Sequence, residues 1–232
     1  MIPSDLLDVI TIGDCRDLAP LLPDESVDVI ATDPPYHDEF LWAWAWLSEV
    51  GARVLRPGGL LLAYSGKHAL PEVYAGLASQ MRYFWTFAAV QLNGDTRFHK
   101  RRVFSNWRPI LAYTKPTADS GAAACLNWVG DAKESKRDKR YHAWGQGANV
   151  FEFYLDRLTL PGAIVLEPFC GGGTVPAVCK ALGRPFVAFE VDPEAAEVAR
   201  RRVEAVTLPL WPPAPDSRGA QLELTGCPAP GG

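Results

Sequence analysis

The chain reads as an α/β protein built on a doubly wound, mostly parallel sheet, and three observations carry that reading. Short apolar runs, the composition of strands buried on both faces, alternate with longer segments of helical character. Residues 163–167, 174–182 and 186–190 make strand, helix and strand within roughly thirty residues, the length of one βαβ unit. Two apolar runs end in segments that can continue neither a strand nor a helix. These are Asp33-Pro34-Pro35-Tyr36, after residues 27–31, and Pro168-Phe169-Cys170-Gly171-Gly172-Gly173, after residues 163–167. Open α/β sheets bind their ligands at such strand ends.

A length of 232 residues suits one domain with a sizeable core. We place that domain at 1–207, with a basic region at 93–140, and read the Pro- and Gly-rich residues 208–232 as an extended or disordered tail. No apolar run is long enough to span a membrane, so no membrane partner is expected. The first eight residues are acidic and lack the basic and apolar regions of a secretory signal. Five cysteines without C-x-x-C spacing fit a reducing cytoplasm, and four scattered histidines offer no metal site. The net charge of −4 conceals an asymmetry: residues 95–140 hold 11 Lys/Arg against 5 Asp/Glu, and the remainder 12 against 22. A basic segment on an acidic body is the distribution of a phosphate-contacting surface, with a merely solvated loop as the alternative.

Residues 9–12 form a strand ended by Gly13 and Asp14, and Asp14 suits the N-cap of a helix over 16–22. Residues 39–55 form an apolar helix stopped by Pro57-Gly58-Gly59. Its Trp42, Trp44 and Trp46 cannot share one face. That crowding predicts a homodimer in which a second copy covers the rings, against the alternative of cover by the chain's own loops. Residues 59–64 are a strand, 69–81 a helix opened by Pro71, and 83–92 and 110–114 later strands. Ser65-Gly66-Lys67 lacks the upstream glycine of a phosphate loop. Between the later strands, Asn93-Gly94 signals a turn before Arg97, Lys100, Arg101 and Arg102. Lys136, Arg137, Lys139 and Arg140 crowd the polar stretch that follows. Residues 150–158 and 193–206 are helical.

The glycine loop lets the backbone approach a ligand closely, because three glycines present no Cβ. At a helix N-terminus it suits a carboxylate. Glu190 follows Glu167 by 23 residues, the spacing at which an acidic side chain grips ribose hydroxyls in nucleotide-binding α/β folds. No G-x-G-x-x-G is present, which weakens a nicotinamide or flavin reading.

Asp33-Pro34-Pro35-Tyr36 resembles the catalytic signature of DNA methyltransferases that modify exocyclic amino groups. Residues Glu167-Pro168-Phe169-Cys170-Gly171-Gly172-Gly173-Thr174 are similar to their S-adenosylmethionine loop. With the catalytic loop first, the order resembles the circularly permuted group called the beta class, over residues 10–203. The resemblance implies a permuted class I methyltransferase sheet and S-adenosylmethionine as cofactor. It further implies that Asp14 lies near the adenine, that Glu167, Pro168, Phe169, Cys170, Gly171, Gly173 and Thr174 form the cofactor loop, and that Glu190 serves the ribose. Gln146, with His142, is a further candidate before that loop. Two positions depart from the family pattern: Glu167 where Asp is usual, and Gly172 where Ser is frequent.

The implied chemistry is a direct in-line methyl transfer to an amino nitrogen. Asp33 and the Pro34 carbonyl accept both amino protons, Pro35 stiffens the loop, and Tyr36 stacks on a base flipped from the duplex. An Asp at the first motif position favours N6 of adenine in DNA. N4 of cytosine, an RNA amino group, or an inactive nucleic-acid-binding relative are the alternatives. The expected partner is DNA, in the cytoplasm of a bacterial or phage-encoded system. Arg97, Lys100, Arg101, Arg102, Lys136, Arg137, Lys139 and Arg140 would then meet its backbone.

Overall fold

A computed structural model describes residues 1–90, 96–98, 102–116 and 148–206. Nine strands alternate with six α-helices among these residues. The strands are β1 (Val9–Ile12), β2 (Val27–Thr32), β3 (Leu55–Tyr64), β4 (Arg82–Val90), β5 (Thr96–Phe98), β6 (Val103–Ser105), β7 (Trp107–Thr114), β8 (Val165–Glu167) and β9 (Phe186–Glu190). The helices are α1 (Cys15–Leu18), α2 (Trp42–Val54), α3 (Leu70–Leu77), α4 (Ala148–Leu158), α5 (Thr174–Ala181) and α6 (Pro193–Glu204).

Seven strands form one sheet in the order β1-β9-β8-β2-β3-β7-β4. All run parallel except β7, which is antiparallel to both of its neighbours. The period-2 alternation of strand side chains divides the core. Ile30, Leu61, Ala63, Leu111 and Tyr113 face α1, α2 and α3. Val29, Ala31, Leu62, Tyr64, Ile110 and Ala112 face α4, α5 and α6. Residues such as Ile30 and Leu62 are wholly buried, each worth roughly 1.5–3 kcal/mol relative to exposure.

Helix α2 shows how an apolar sequence finds one buried stripe. Ala43, Trp44, Leu47, Val50, Gly51 and Val54 recur at helical spacing and are buried. Gly51 lets the helix lie close to its neighbours, since a Cβ there would stand 2.6 Å from the sulfur of Met81. The buried Ser48 hydroxyl donates to the Leu77 carbonyl at 2.6 Å and accepts the Gln80 N–H at 3.0 Å, which ties α2 to the end of α3.

The expected elements are present with shifted ends. The helix expected over 39–55 begins only at Trp42, after a 3-10 turn at Asp38–Phe40. The helix expected over 16–22 is α1 followed by a 3-10 turn at Ala19–Leu21, with Asp14 as N-cap. One element was missed: β5 and β6 pair as an antiparallel hairpin inside the basic region. Lys100, Arg101, Lys136, Arg137, Lys139, Arg140, His142, Trp144, Gln146 and the tail at 208–232 lie outside the described residues.

The tryptophans behind the dimer expectation are covered within the chain. Trp44 is 2% exposed, and Trp42 and Trp46 pack against the core of their own face.

Candidate active site

One end of the sheet opens into a cleft of about 880 Å³, within the roughly 300–1,000 Å³ common to small-molecule sites. Its walls follow the strand order. The carboxyl ends of β1, β9 and β8 contribute Gly13-Asp14, Glu190-Val191-Asp192 and Pro168-Phe169. Those of β2 and β3 contribute Asp33-Pro34-Pro35-Tyr36 and Ser65-Gly66-Lys67-His68, and the amino end of β7 adds Trp107-Arg108. The two loops singled out in the sequence therefore face one cavity because β8 and β2 are adjacent.

The β8 half is built from backbone. Gly171 and Gly173 hold left-handed φ angles of +49° and +74°. A Cβ on Gly173 would stand 2.7 Å from the Cα of Ala199, so α6 lies directly against the loop. A Cβ on Gly171 would meet nothing within 4 Å. Glu190 joins this loop to the next turn: Gly171 N–H donates to Oε2 at 2.5 Å and Asp192 N–H to Oε1 at 2.9 Å. From behind, the buried Arg202 of α6 donates to the Thr174 hydroxyl at 2.8 Å and the Gly172 carbonyl at 3.3 Å.

Glu167 is 2% exposed and lies behind the cleft wall. Its Oε1 accepts the Thr32 hydroxyl at 2.6 Å and the Phe169 N–H at 2.9 Å. The extra methylene relative to Asp thus spans from the glycine loop to the residue before Asp33. Burial pushes its pKa up to about 8 against these two hydrogen bonds, so the side chain is largely protonated at neutral pH.

Asp14 takes a bidentate grip from Arg16, with Nη2 to Oδ2 at 2.6 Å and Nε to Oδ1 at 3.0 Å. These hydrogen bonds from Arg16 hold its pKa at about 2. The Arg16 guanidinium carbon lies 4.6 Å from the centroid of the Trp42 ring. Trp42 and Trp46 meet Phe169 at ring separations of 6.5 and 5.7 Å, so the tryptophans buttress the aromatic of the glycine loop.

In the β2 half, the Tyr36 hydroxyl donates to Asp33 Oδ1. Burial and the Asp33 carboxylate keep the phenol's pKa well above its ordinary value, so it stays protonated as the donor. Gly66 brings the β3 loop against Tyr36; a Cβ there would lie 3.6 Å from that of Tyr36.

Of the residues expected around a cofactor, Asp14, Pro168, Phe169, Gly171 and Glu190 line the cleft. Glu167, Cys170, Gly173 and Thr174 do not: they lie in the layer that supports the loop, which corrects the expectation of direct contact. The loop turns its backbone, not these side chains, toward the cavity. Sequence reasoning missed Arg16, Trp42, Lys67, His68, Trp107, Arg108 and Asp192. The signal for Lys67 and His68 was available, since they follow the carboxyl end of β3 as Asp33 follows β2. The pairing that brings β7 beside β3 is long-range and carries no local mark.

A mostly parallel seven-stranded sheet with one reversed strand, holding a glycine loop and a prolyl catalytic loop across one cleft, defines a methyltransferase of the class I fold. A family model described as DNA methylase matches residues 27–201, and the chain belongs to that family of N6 and N4 amino-methyltransferases. It is 26% identical over 254 aligned positions to the Type II methyltransferase M.HinfI of Haemophilus influenzae, covering 88% of this chain and 70% of that protein. It is also 26% identical to the Type II methyltransferase M.HpaI of Haemophilus parainfluenzae, over 79% of this chain and 70% of the relative. Among solved structures, the M1.HpyAVI–SAM complex superposes with a TM-score of 0.68 at 22% identity, covering 84% of this chain and 98% of that one. The PvuII cytosine-N4-specific DNA methyltransferase gives 0.70 at 19%, covering 85% and 87%.

Proposed function

We propose that this chain transfers a methyl group from S-adenosylmethionine to the N6 amino group of adenine in DNA, with the base turned out of the duplex into the cleft. The observation that carries this reading is the placement of Asp33-Pro34-Pro35-Tyr36 across one cavity from the glycine loop. The cofactor's residues fit their task. Asp14, Glu190 and Asp192 offer carboxylates to hydroxyl and ammonium groups, Gly171 leaves room for close approach, and Phe169 presents a ring beside the cavity. When bound there, the cofactor supplies an electrophilic methyl group. The motif order, with the catalytic loop ahead of the glycine loop, suits the permuted arrangement of the beta class.

The residues of the β2 half then act on the amine. Its lone pair is delocalised into the ring, so the nitrogen is a poor nucleophile until it becomes pyramidal. Asp33 and the Pro34 carbonyl accept the two amino protons, which favours the pyramidal nitrogen of the transition state. Tyr36 holds the Asp33 carboxylate in orientation through its hydroxyl and offers a ring face to the base. Asp33 is also the group placed to take the proton that the amine sheds. Arg97 on β5 and Arg102 in the turn before β6, with the basic residues that follow, would bind the duplex backbone. The hairpin is inserted between β4 and β7, whose connected ends lie at the cleft end of the sheet.

The test is expression in a methylation-free host, followed by nucleoside mass spectrometry and modification mapping of its DNA. N6-methyladenine is the expected product. N4-methylcytosine would move the assignment to the other base, and unmodified DNA from an enzyme that binds the cofactor would overturn it.

A further inference from the structure

The cleft is divided by charge. Its β1, β9 and β8 end holds three carboxylates, Asp14, Glu190 and Asp192, with Arg16 locked onto the first. Its β2, β3 and β7 end holds Asp33 together with Lys67, Arg108, His37 and His68. The acidic end suits a cationic cofactor, and the cations at the other end are more than Asp33 balances.

Two of these cations are held in place by aromatic faces. Lys67 Nζ lies 4.8 Å from the centroid of Trp107 and donates to the Trp107 carbonyl at 2.5 Å. The Arg108 guanidinium lies 4.9 Å from the centroid of Tyr64. Cation–aromatic contacts of this kind fix position without cancelling charge. Burial first, and then the charge of Arg108, lower the pKa of Lys67, which shows that the two cations feel each other. Like charges brought together on neighbouring strands cost stability in the free protein, and an anion beside both would relieve that cost. A base seated against Asp33 and Tyr36 remains tethered to its own sugar-phosphate backbone, which must pass this side of the cleft.

We propose that Lys67 and Arg108 form a phosphate seat for the backbone beside the extruded nucleotide, separate from the basic region at 93–140 apart from Arg108 itself. This rests on the function proposed above and adds a binding site to it. The β3 loop thereby reads phosphate with a side chain, although it lacks the glycines of a phosphate loop.

The test uses Lys67→Met, which keeps an unbranched stem against Trp107, and Lys67→Arg in the full chain. Binding to a fluorescent DNA duplex is read by anisotropy across a salt series, and S-adenosylmethionine binding by calorimetry. Expected for Lys67→Met is an affinity roughly tenfold lower at low salt, with the log–log salt slope shallower by about 0.9, one phosphate's contribution. Lys67→Arg should retain the wild-type slope, and cofactor affinity should be unchanged in both, which also reports an intact fold. A Lys67→Met protein with wild-type DNA affinity and slope would overturn the seat. So would one that methylates more slowly at saturating DNA with the slope unmoved, since Lys67 would then act on Asp33. Because binding is read without turnover, a wild-type protein that shows the Lys67-dependent slope but methylates nothing would sustain the seat while sinking the proposed function.

Discussion

The two halves of the cleft solve their tasks with different parts of the polypeptide. The β8–β9 half presents main chain: left-handed glycines, an N–H held by Glu190, and a helix packed so closely that Gly173 has no room for a methyl group. The β2–β3–β7 half presents side chains: a carboxylate, a phenol and cations on rigid strand ends. A main-chain site is damaged through the fold, whereas a side-chain site can lose its chemistry and keep its fold. Glu167 joins the two, because one oxygen accepts from Phe169 in the first and from Thr32, next to Asp33, in the second.

The largest expected effect tests the side-chain half. Asp33→Ala should slow methyl transfer by about 10²–10³-fold or more, by analogy with removal of one transition-state hydrogen-bond partner. Its melting temperature should stay at the wild-type value, since Asp33 is half-buried at the cleft and outside the core. Single-turnover transfer and circular dichroism together check this, and a loss of folding would erase the distinction between the halves.

The main-chain half should behave in the opposite way. Gly173→Ala should destabilise by roughly 1–3 kcal/mol from overpacking against Ala199, with about 1–2 kcal/mol more for the left-handed backbone. Gly171→Ala carries only the backbone cost, because open space surrounds its would-be Cβ. Denaturant unfolding ranks the two, and equal losses would show that α6 does not press on the loop.

Glu167 sharpens the comparison through pH. Its pKa is raised from 4.5 to about 8 in the folded protein, so the native state keeps a proton that the unfolded chain has released. Its contribution to stability is therefore complete below pH 4.5 and is lost as pH rises to about 8, at most by about 1.4 kcal/mol per pH unit. Glu167→Gln keeps the oxygen acceptor for Thr32 and Phe169 and removes the titration. Its stability should change less than the wild type's across this window, as melting temperatures on a pH series would show.

The smallest effect belongs to Tyr36→Phe. It removes the hydroxyl that donates to Asp33 and leaves the ring, so transfer should slow by less than about tenfold, the net worth of one hydrogen bond. A loss as large as that of Asp33→Ala would make the phenol a chemical participant.

Sequence alone determined the parts that depend on local chemistry. Alternating apolar runs and helical segments specify an α/β sheet, because each element must bury its own periodic face. Two prolines force the chain out of β2, and glycines mark where backbone must come close. Tertiary structure decided what those parts face. The adjacency of β8 and β2, 135 residues apart at Thr32 and Glu167, makes two motifs into one site. The same packing seats three tryptophans against the core and Phe169, and places Glu167 and Thr174 behind the wall they were expected to line. It also brings β7 to β3, so that Arg108 stands near Lys67. Residue type and spacing encode the propensity and period of one segment, whereas side-chain direction and neighbours are set by long-range strand pairing, which leaves no mark on either segment alone.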